Sequence, residues 1–173
     1  VGLALYKIIK AYLIGNVTLV LASLFIGGLV LIAFELMYKK ETATTRTVAD
    51  ISYTNAALIG LFQSISIIPG VSRSAATILG GLWLGIDRVT IVEFSFLLAV
   101  PTMAAATGLD LIKNADSFSL DQFSVLAVGF ATSFVVALAS MRWLLQYVRN
   151  HSFIAFGAYR IVIAAVFFFF VLA

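Results

Sequence analysis

The stretch Pro69-Gly70-Val71-Ser72-Arg73-Ser74-Ala75-Ala76-Thr77 decides the fold of this chain. It is a polar segment between two apolar ones, residues 56–68 before it and residues 78–86 after it. An arginine at the centre of a membrane helix costs roughly 2.5 to 3.5 kcal/mol on insertion scales, so a charge in such surroundings indicates a functional site. Arg73 is therefore the first candidate for a functional residue.

The local sequence predicts a helix break followed by a new helix. Pro69 has no N–H and disfavours helix at the residue before it, so the first apolar segment should end there. Gly70 permits a tight turn that a side chain would oppose. Ser72 or Ser74 can then cap a second helix from about residue 75 to residue 86.

A helix start of this composition favours an anion. It offers free backbone N–H groups and a positive dipole end, together with the hydroxyls of Ser72, Ser74 and Thr77 and the guanidinium of Arg73. Arginine binds phosphate through two parallel hydrogen bonds, so phosphate is the favoured ligand. The alternative is a kinked membrane helix in which Arg73 pairs with a buried carboxylate.

Four ordered pieces of the sequence resemble the undecaprenyl-pyrophosphate phosphatases, or bacitracin-resistance proteins, of bacterial membranes. The pieces are Gly60-Leu61-Phe62-Gln63, then Pro69-Gly70-Val71-Ser72-Arg73-Ser74 with Thr77, then Phe94-Ser95-Phe96-Leu97-Leu98-Ala99-Val100-Pro101, and Tyr159-Arg160-Ile161. Their order and spacing are those of the family, and the resemblance runs along the whole chain. One departure is Ala75, which stands where the family usually has glycine.

The resemblance implies two inverted repeats, each with a re-entrant hairpin. The Glu-x-x-x-Glu pattern and the Pro-x-Ser-Ser-Thr-Gly-His stretch of the family's first repeat are absent from these 173 residues, which start on Val1 without Met. We interpret residues 1–173 as a single transmembrane domain, the C-terminal part of a longer chain, with its hairpin at about residues 55–86. The N-terminal repeat of the same protein is then an expected partner, and a homodimer is also allowed.

By resemblance, the complete protein hydrolyses undecaprenyl pyrophosphate to undecaprenyl phosphate and so recycles the lipid carrier of cell-wall synthesis. It would be a multi-pass protein of the bacterial inner membrane, surrounded by membrane lipids, with its site open to the periplasm. A divalent metal, Mg²⁺ or Ca²⁺, is implied, with its ligands and the nucleophile expected outside this chain. The competing class is an inverted-repeat transporter or flippase, because transporters also aim discontinuous helices at anions near mid-membrane.

The resemblance also assigns residues. Arg73 and Ser72 are expected to be catalytic, and substrate contacts are expected from Gly70, Ser72, Arg73, Ser74, Thr77, Gln63 and Arg160. Two of these keep alternatives: Gln63 can instead make a packing hydrogen bond inside the hairpin, and Arg160 can instead be neutralised by Glu93 or another carboxylate.

Composition independently indicates an all-α integral membrane protein, a polytopic helical bundle. Of the residues, 62% are hydrophobic and 11% are charged, whereas charged residues make up about a quarter of a typical soluble domain. No basic cluster is interleaved with aromatics, so nucleic-acid binding is not indicated. The chain has no cysteine, which excludes disulfides and thiolate metal sites.

Apolar runs at residues 17–36, 89–111, 120–148 and 153–173 are long enough to span a bilayer. Residues 55–86 are different, because Pro69 divides them into two halves that are each too short to span. A hairpin that enters and leaves on one side satisfies both lengths, and one long kinked span is the alternative. Gly81 and Gly85 predict a close-packing face on the second half.

Charge placement favours the hairpin. With Arg73 and Arg160 set aside as intramembrane, nine of the eleven Lys and Arg remain. A hairpin puts six of them on one side and three on the other, whereas a single span gives four and five. The positive-inside rule requires asymmetry, so the hairpin is preferred and the six-residue side is expected to be cytoplasmic. The six are Lys39, Lys40, Arg46, Arg88, Arg142 and Arg149.

Overall fold

A computed structural model describes residues 15–38, 43–113 and 123–171. Within these ranges the chain forms six α-helices and no strand, which confirms the all-α prediction. Two single turns of 3₁₀-helix lie at Val48–Asp50 and Ile65–Ile67. The helices are α1 (Val17–Met37), α2 (Tyr53–Ser64), α3 (Arg73–Trp83), α4 (Arg88–Lys113), α5 (Phe123–Asn150) and α6 (Ile154–Val171).

Three of these helices, α1, α4 and α5, are long and apolar enough to cross a membrane, and α6 adds a shorter apolar helix. Much of their apolar surface faces outward: Phe130 of α5 is 75% exposed and Val100 of α4 is 65% exposed. Large apolar side chains in such positions are stable only in contact with lipid or another apolar surface. The sequence also indicates the end of a helix over residues 1–13 and a polar loop over residues 113–121. The first of these and most of the second lie outside the described residues.

The hairpin predicted around Pro69 is formed by α2 and α3. The two helices have 12 and 11 residues, so each is about 17 to 18 Å long at 1.5 Å per residue and shorter than the hydrocarbon core. The side chain of Ser52 caps α2 by accepting a hydrogen bond from the N–H of Asn55. The helices pack closely because Gly80 of α3 lies against the ring of Phe62 of α2.

Gly85 ends helix α3 and does not have the packing role that the sequence predicts for it. Its φ is +77°, and the N–H of Ile86 donates to the carbonyl of Gly81 at 3.0 Å. This is the left-handed residue that commonly ends a helix. The close-packing glycines of α3 are therefore Gly80 and Gly81, which face α2 and Ile91 of α4 respectively.

The chain before α2 meets the chain after α3. Thr45 and Ile86 form an isolated parallel bridge, and the N–H of Asp87 donates to the carbonyl of Thr45 at 2.8 Å. The hydroxyl of Thr90 donates to the carbonyl of Arg46 at 2.8 Å. Since both ends of the hairpin are bonded together, the geometry favours a hairpin that returns to its starting side over one kinked span. The position of this hairpin in the membrane stays a prediction.

Helices α1 and α6 approach each other at two facing glycines. A Cβ on Gly28 would lie 2.8 Å from the carbonyl oxygen of Gly157, and a Cβ on Gly157 would lie 2.9 Å from the carbonyl oxygen of Gly28. Small residues allow this backbone contact between apolar helices. The packed pair of α1 and α6 forms one wall beside the hairpin.

Arg88 joins the ends of several helices. Its guanidinium binds the Glu35 carboxylate of α1 at 2.5 Å and donates to the carbonyl of His151 at 2.9 Å. It also lies 5.4 Å from the ring centroid of Tyr38 and 5.2 Å from that of Phe153. The side chains of Arg88 and Glu35 are 17% and 7% exposed, so removing either alone would strand a buried charge. Burial raises the pKa of the neighbouring Tyr38 hydroxyl.

The hairpin geometry predicts the accessibility of three single cysteines. Thr44→Cys and Asp87→Cys should give the same labelling pattern with a membrane-impermeant thiol reagent in intact and in lysed cells, because their segments are hydrogen-bonded together. Lys113→Cys, at the far end of α4, should give the opposite pattern. The chain contains no cysteine of its own, so the unsubstituted protein is the control. Labelling of Asp87→Cys without Thr44→Cys in intact cells would show a single span and contradict the hairpin.

Candidate functional site

The break between the two halves of the hairpin is a short loop, residues 68–72, here called the hairpin loop. Pro69 follows an extended Ile68, and Gly70 has a φ of +90°, a conformation that residues with a side chain rarely adopt. The side chain of Ser72 is the N-cap of α3, since its hydroxyl accepts the N–H of Ala75 at 3.2 Å. The helix therefore begins at Arg73, two residues before the position predicted from sequence.

Arg73 is held by α4. Its Nη2 group donates to the carbonyl of Leu98 at 3.1 Å and to the hydroxyl of Thr102. Pro101 precedes Thr102 inside α4. Because proline has no N–H, one backbone hydrogen bond of the helix is missing at this position. Neither partner of Arg73 is a carboxylate, so these bonds orient the guanidinium without neutralising its charge. The alternative of a buried carboxylate pair is not what the described contacts show.

Arg160 reaches the hairpin loop from α6. Its Nη2 donates to the carbonyl of Gly70 at 2.8 Å, and its Nε is buried without a hydrogen-bond partner among the described residues. Glu93, the carboxylate considered as its partner from sequence, has an exposed side chain on α4. The described contact of Arg160 is therefore to backbone, and one buried donor of the guanidinium is left over.

Thr77 lies one turn behind the loop and is 1% exposed. Its hydroxyl bonds with that of Ser95 on α4 at 2.7 Å and lies within hydrogen-bond distance of the carbonyls of Arg73 and Ser74. The Thr77 hydroxyl thus links α3 to α4. Ser95 also lines the cavity in front of the loop, whereas Thr77 does not. Gln63 lies on α2, and its buried Oε1 has no hydrogen-bond partner among the residues that the structure describes.

A cavity of about 470 Å³ opens in front of these groups. Ser72, Arg73, Ser74, Ser95 and Arg160 give it one polar, cationic part. Gly70, Thr77 and Gln63 are not among its lining residues, so the structure brings together four of the seven predicted site residues at the cavity. The rest of the lining is mostly apolar: Leu31, Ala75, Ile78, Val92, Phe96, Ala99, Leu144, Phe153, Phe156 and Tyr159.

The described residues do not fit the metal that the resemblance implies. They contain no group of three or more His, Asp and Glu side chains able to hold an ion. The polar part of the cavity offers hydroxyls and two guanidiniums, whereas Mg²⁺ and Ca²⁺ prefer carboxylate and carbonyl oxygens. A metal at this cavity would need ligands from residues beyond those described.

Comparison with known proteins identifies the family. Residues 1–166 match the bacitracin resistance protein BacA family. The chain belongs to this family. Among its curated relatives, the undecaprenyl-diphosphatases of Sulfurihydrogenibium sp. and Aquifex aeolicus are each 47% identical to it over 167 residues. The undecaprenyl-diphosphatase of Persephonella marina is 47% identical over 171 residues.

These matches cover 96% to 99% of the chain but only 65% to 66% of each relative. The chain thus spans just under two thirds of the length of the BacA-family proteins that it matches. The activity of the complete relatives is therefore a proposal for the protein to which this chain belongs.

Three residues near the site carry no role in the sequence reasoning. Ser95 and Thr102 bind Thr77 and Arg73 from α4, and Gly27 of α1 lies against the guanidinium of Arg160. Ser95 belongs to one of the four pieces of the family resemblance, so that piece was the available signal. Nothing in the local sequence marks Gly27 or Thr102, since their importance depends on which helices become neighbours.

The hairpin loop gives a stability prediction. A Cβ at position 70 would lie 2.5 Å from the carbonyl oxygen of Val20 of α1, and the left-handed backbone alone costs on the order of 1 to 3 kcal/mol for a residue other than glycine. Gly70→Ala should therefore lower the thermal unfolding midpoint of the chain in detergent. Gly60→Ala in α2, where nothing lies within 4 Å of the added carbon, is the matched control and should not lower it. Equal midpoints for Gly70→Ala and Gly60→Ala would contradict the strained loop.

Proposed function

We propose that the complete protein is a phosphatase of the bacterial inner membrane that hydrolyses undecaprenyl pyrophosphate to undecaprenyl phosphate. It would recycle the lipid carrier of peptidoglycan synthesis and so contribute to bacitracin resistance. The observation that carries the proposal is the cavity with two arginines and three serines in one part and an apolar lining elsewhere. Membership of the BacA family and relatives named undecaprenyl-diphosphatase support it.

The polar part of the cavity suits a diphosphate. Arg73 stands at the first position of α3, where backbone N–H groups and the helix dipole favour an anion. Its two described hydrogen bonds use only Nη2, so the Nε and Nη1 groups are outside those bonds. Arg160 also lines the cavity, and its described hydrogen bond goes to the carbonyl of Gly70, so no described carboxylate neutralises its charge.

The apolar lining suits an isoprenoid chain. Phe96 of α4, Leu144 of α5 and Phe156 of α6 lie in the same cavity as Arg73. Burial contributes about 25 cal/mol per Å² only for apolar surface removed from water. An isoprenoid chain that comes from the bilayer is already in hydrocarbon, so the lining offers it a matching apolar surface and not a large gain in free energy. A ligand with a phosphate head and a hydrocarbon tail satisfies both parts at once, whereas a free phosphate satisfies only one.

In the net reaction, water adds to the terminal phosphorus and the bond from that phosphorus to the bridging oxygen breaks. Undecaprenyl phosphate is expelled as the leaving group, and the attacked phosphoryl group is released as inorganic phosphate. Arg73, Arg160 and the α3 N-terminus would offset the charge that builds on the phosphoryl oxygens as the bond breaks. Ser72 and Ser74, whose hydroxyls lie 3.1 Å apart, would donate hydrogen bonds to the same oxygens. We assign proton transfer and any divalent metal to residues of the complete protein outside this chain, in an N-terminal repeat.

The finer points of location and assembly are proposals of the same kind. We place the cavity on the periplasmic side. The two ends of the hairpin lie with the more basic loops, which are expected to be cytoplasmic, and the cavity lies at the opposite end of the hairpin, at its loop. A homodimer stays a prediction, which the molar mass of the purified protein in detergent would test.

Phosphate release from undecaprenyl pyrophosphate separates the enzyme from the transporter. We expect the complete protein in detergent to release phosphate. Residues 1–173 alone should release none, because they lack the Glu-x-x-x-Glu pattern of the family's first repeat. Turnover by the purified 173-residue chain would contradict the assignment of chemistry to a further repeat. Movement of the lipid across vesicles by a complete protein that releases no phosphate would favour the transporter.

Substitution of Arg73 in the complete protein tests the phosphate clamp. Lysine keeps the charge but loses the planar fork, and a hydrogen bond to a charged group is worth roughly 1.5 to 3 kcal/mol. Arg73→Lys should therefore lower kcat/KM on the order of tenfold to a hundredfold, and Arg73→Ala should lower it further while the protein still folds. Arg142→Lys on the exposed part of α5 is the control and should leave kcat/KM unchanged.

If Arg73 only neutralised a carboxylate, the order would be reversed. Arg73→Lys would be nearly silent, and Arg73→Ala would lower the unfolding midpoint before it changed turnover. A fully active and normally stable Arg73→Lys protein would remove the bidentate clamp from the proposed function.

A further inference from the structure

The guanidinium of Arg160 occupies the space where a side chain at position 27 would be. A Cβ built on Gly27 of α1 would lie 2.7 Å from Nη2, 3.4 Å from Cζ and 3.6 Å from Nε of Arg160. These are the three nearest atoms, and all of them belong to the end of one flexible side chain. The guanidinium therefore lies directly against the backbone of α1.

The same Nη2 group holds the hairpin loop, through its 2.8 Å bond to the carbonyl of Gly70. The loop also rests on α1 one to two turns before Gly27, because a Cβ on Gly70 would lie 2.5 Å from the carbonyl oxygen of Val20 and 2.9 Å from the Cβ of Ser23. Helix α1, the loop and the guanidinium are thus in mutual contact. Ser72 and Arg73 follow Gly70 by two and three residues, so the position of the Gly70 peptide affects where α3 begins.

We propose that Gly27 is a positioning residue: its missing side chain sets where the Arg160 guanidinium lies, and through it the conformation of the hairpin loop that presents Ser72 and Arg73. Its importance for turnover rests on the proposed function, whereas its effect on the loop does not. Any side chain at position 27 would move Nη2 by several tenths of an ångström or more, and the bond to Gly70 would lengthen or break.

The neighbouring glycine has a different role, which makes the inference specific. A Cβ on Gly28 would meet the carbonyl oxygen of Gly157 at 2.8 Å, and a backbone atom cannot move without separating α1 from α6. The three atoms nearest to a Cβ on Gly27 all belong to a side chain that can rotate away. Gly28→Ala should therefore lower stability, whereas Gly27→Ala should leave the fold intact and disturb the loop.

Amide hydrogen exchange of residues 68–76 in the 173-residue chain in lipid nanodiscs tests the effect on the loop. The reporting amides include Val71, which bonds to the carbonyl of Ile68, and Ala76, which bonds to the carbonyl of Ser72. Gly27→Ala and Arg160→Met should each speed exchange by about tenfold, as expected for loss of one hydrogen bond from a charged donor. Gly129→Ala in α5, where an added carbon meets nothing within 4 Å, should leave exchange unchanged.

The double variant decides whether Gly27 acts through Arg160. Gly27→Ala combined with Arg160→Met should exchange no faster than Arg160→Met alone, because the guanidinium that the new methyl group would displace is already gone. The same non-additivity is expected for kcat/KM in the complete protein, where Gly27→Ala should lower kcat/KM about tenfold with a smaller fall in unfolding midpoint than Gly28→Ala.

Three results would overturn the proposal. They are loop exchange of Gly27→Ala at the unsubstituted rate, a full further increase in the double variant, and a fall in unfolding midpoint as large as that of Gly28→Ala. A complete protein that releases no phosphate from undecaprenyl pyrophosphate would sink the proposed function instead, and the exchange measurements on the loop would still decide the role of Gly27.

Discussion

The site depends on one constraint: the backbone polar groups of the irregular hairpin loop need hydrogen-bond partners. The bond from Arg160 to the carbonyl of Gly70 supplies one of them. A chain that unwinds between two apolar helices exposes backbone polar groups where water is scarce, and each one left unpaired is costly. The hairpin loop is irregular backbone of this kind, and α6 supplies one of its missing partners from 90 residues away. Because the donor is a cation and not a neutral group, the same bond that stabilises the loop also brings positive charge to the cavity.

The three arginines with described partners around the hairpin have different chemical surroundings. Arg88 is paired with Glu35 and lies between the rings of Tyr38 and Phe153, so it serves as a neutralised structural link between helix ends. Arg73 and Arg160 bind carbonyl and hydroxyl oxygens instead. Those partners fix the direction of each guanidinium but leave its positive charge available, which is what an anionic ligand requires.

Different glycines of the bundle allow different close contacts. Gly28 and Gly157 bring the backbones of α1 and α6 together, Gly80 and Gly81 bring α3 against α2 and α4, and Gly70 gives the loop its left-handed turn. Gly27 differs from all of these because the group it admits is a guanidinium. A membrane helix bundle can therefore use the same residue type both for packing and for placing a charge.

The sequence by itself determined most of the helices and the break between two of them. Apolar run lengths predicted the spanning helices α1, α4 and α5, and Pro69 and Gly70 predicted the break, because these depend on local backbone sterics and hydrogen bonding. The run at 153–173, also predicted to span, forms the shorter apolar helix α6 in the described residues. Ser72 was one of two predicted caps, with Ser74 as the other, and the structure selects Ser72. Four short pieces sufficed to indicate the family. Only the tertiary structure decided that Arg160 binds Gly70, that Arg73 is oriented by Leu98 and Thr102, that Thr77 faces Ser95 and not the cavity, and that Gly27 leaves room for a guanidinium. These contacts join residues 18 to 133 positions apart, and no local pattern specifies which helix faces will meet.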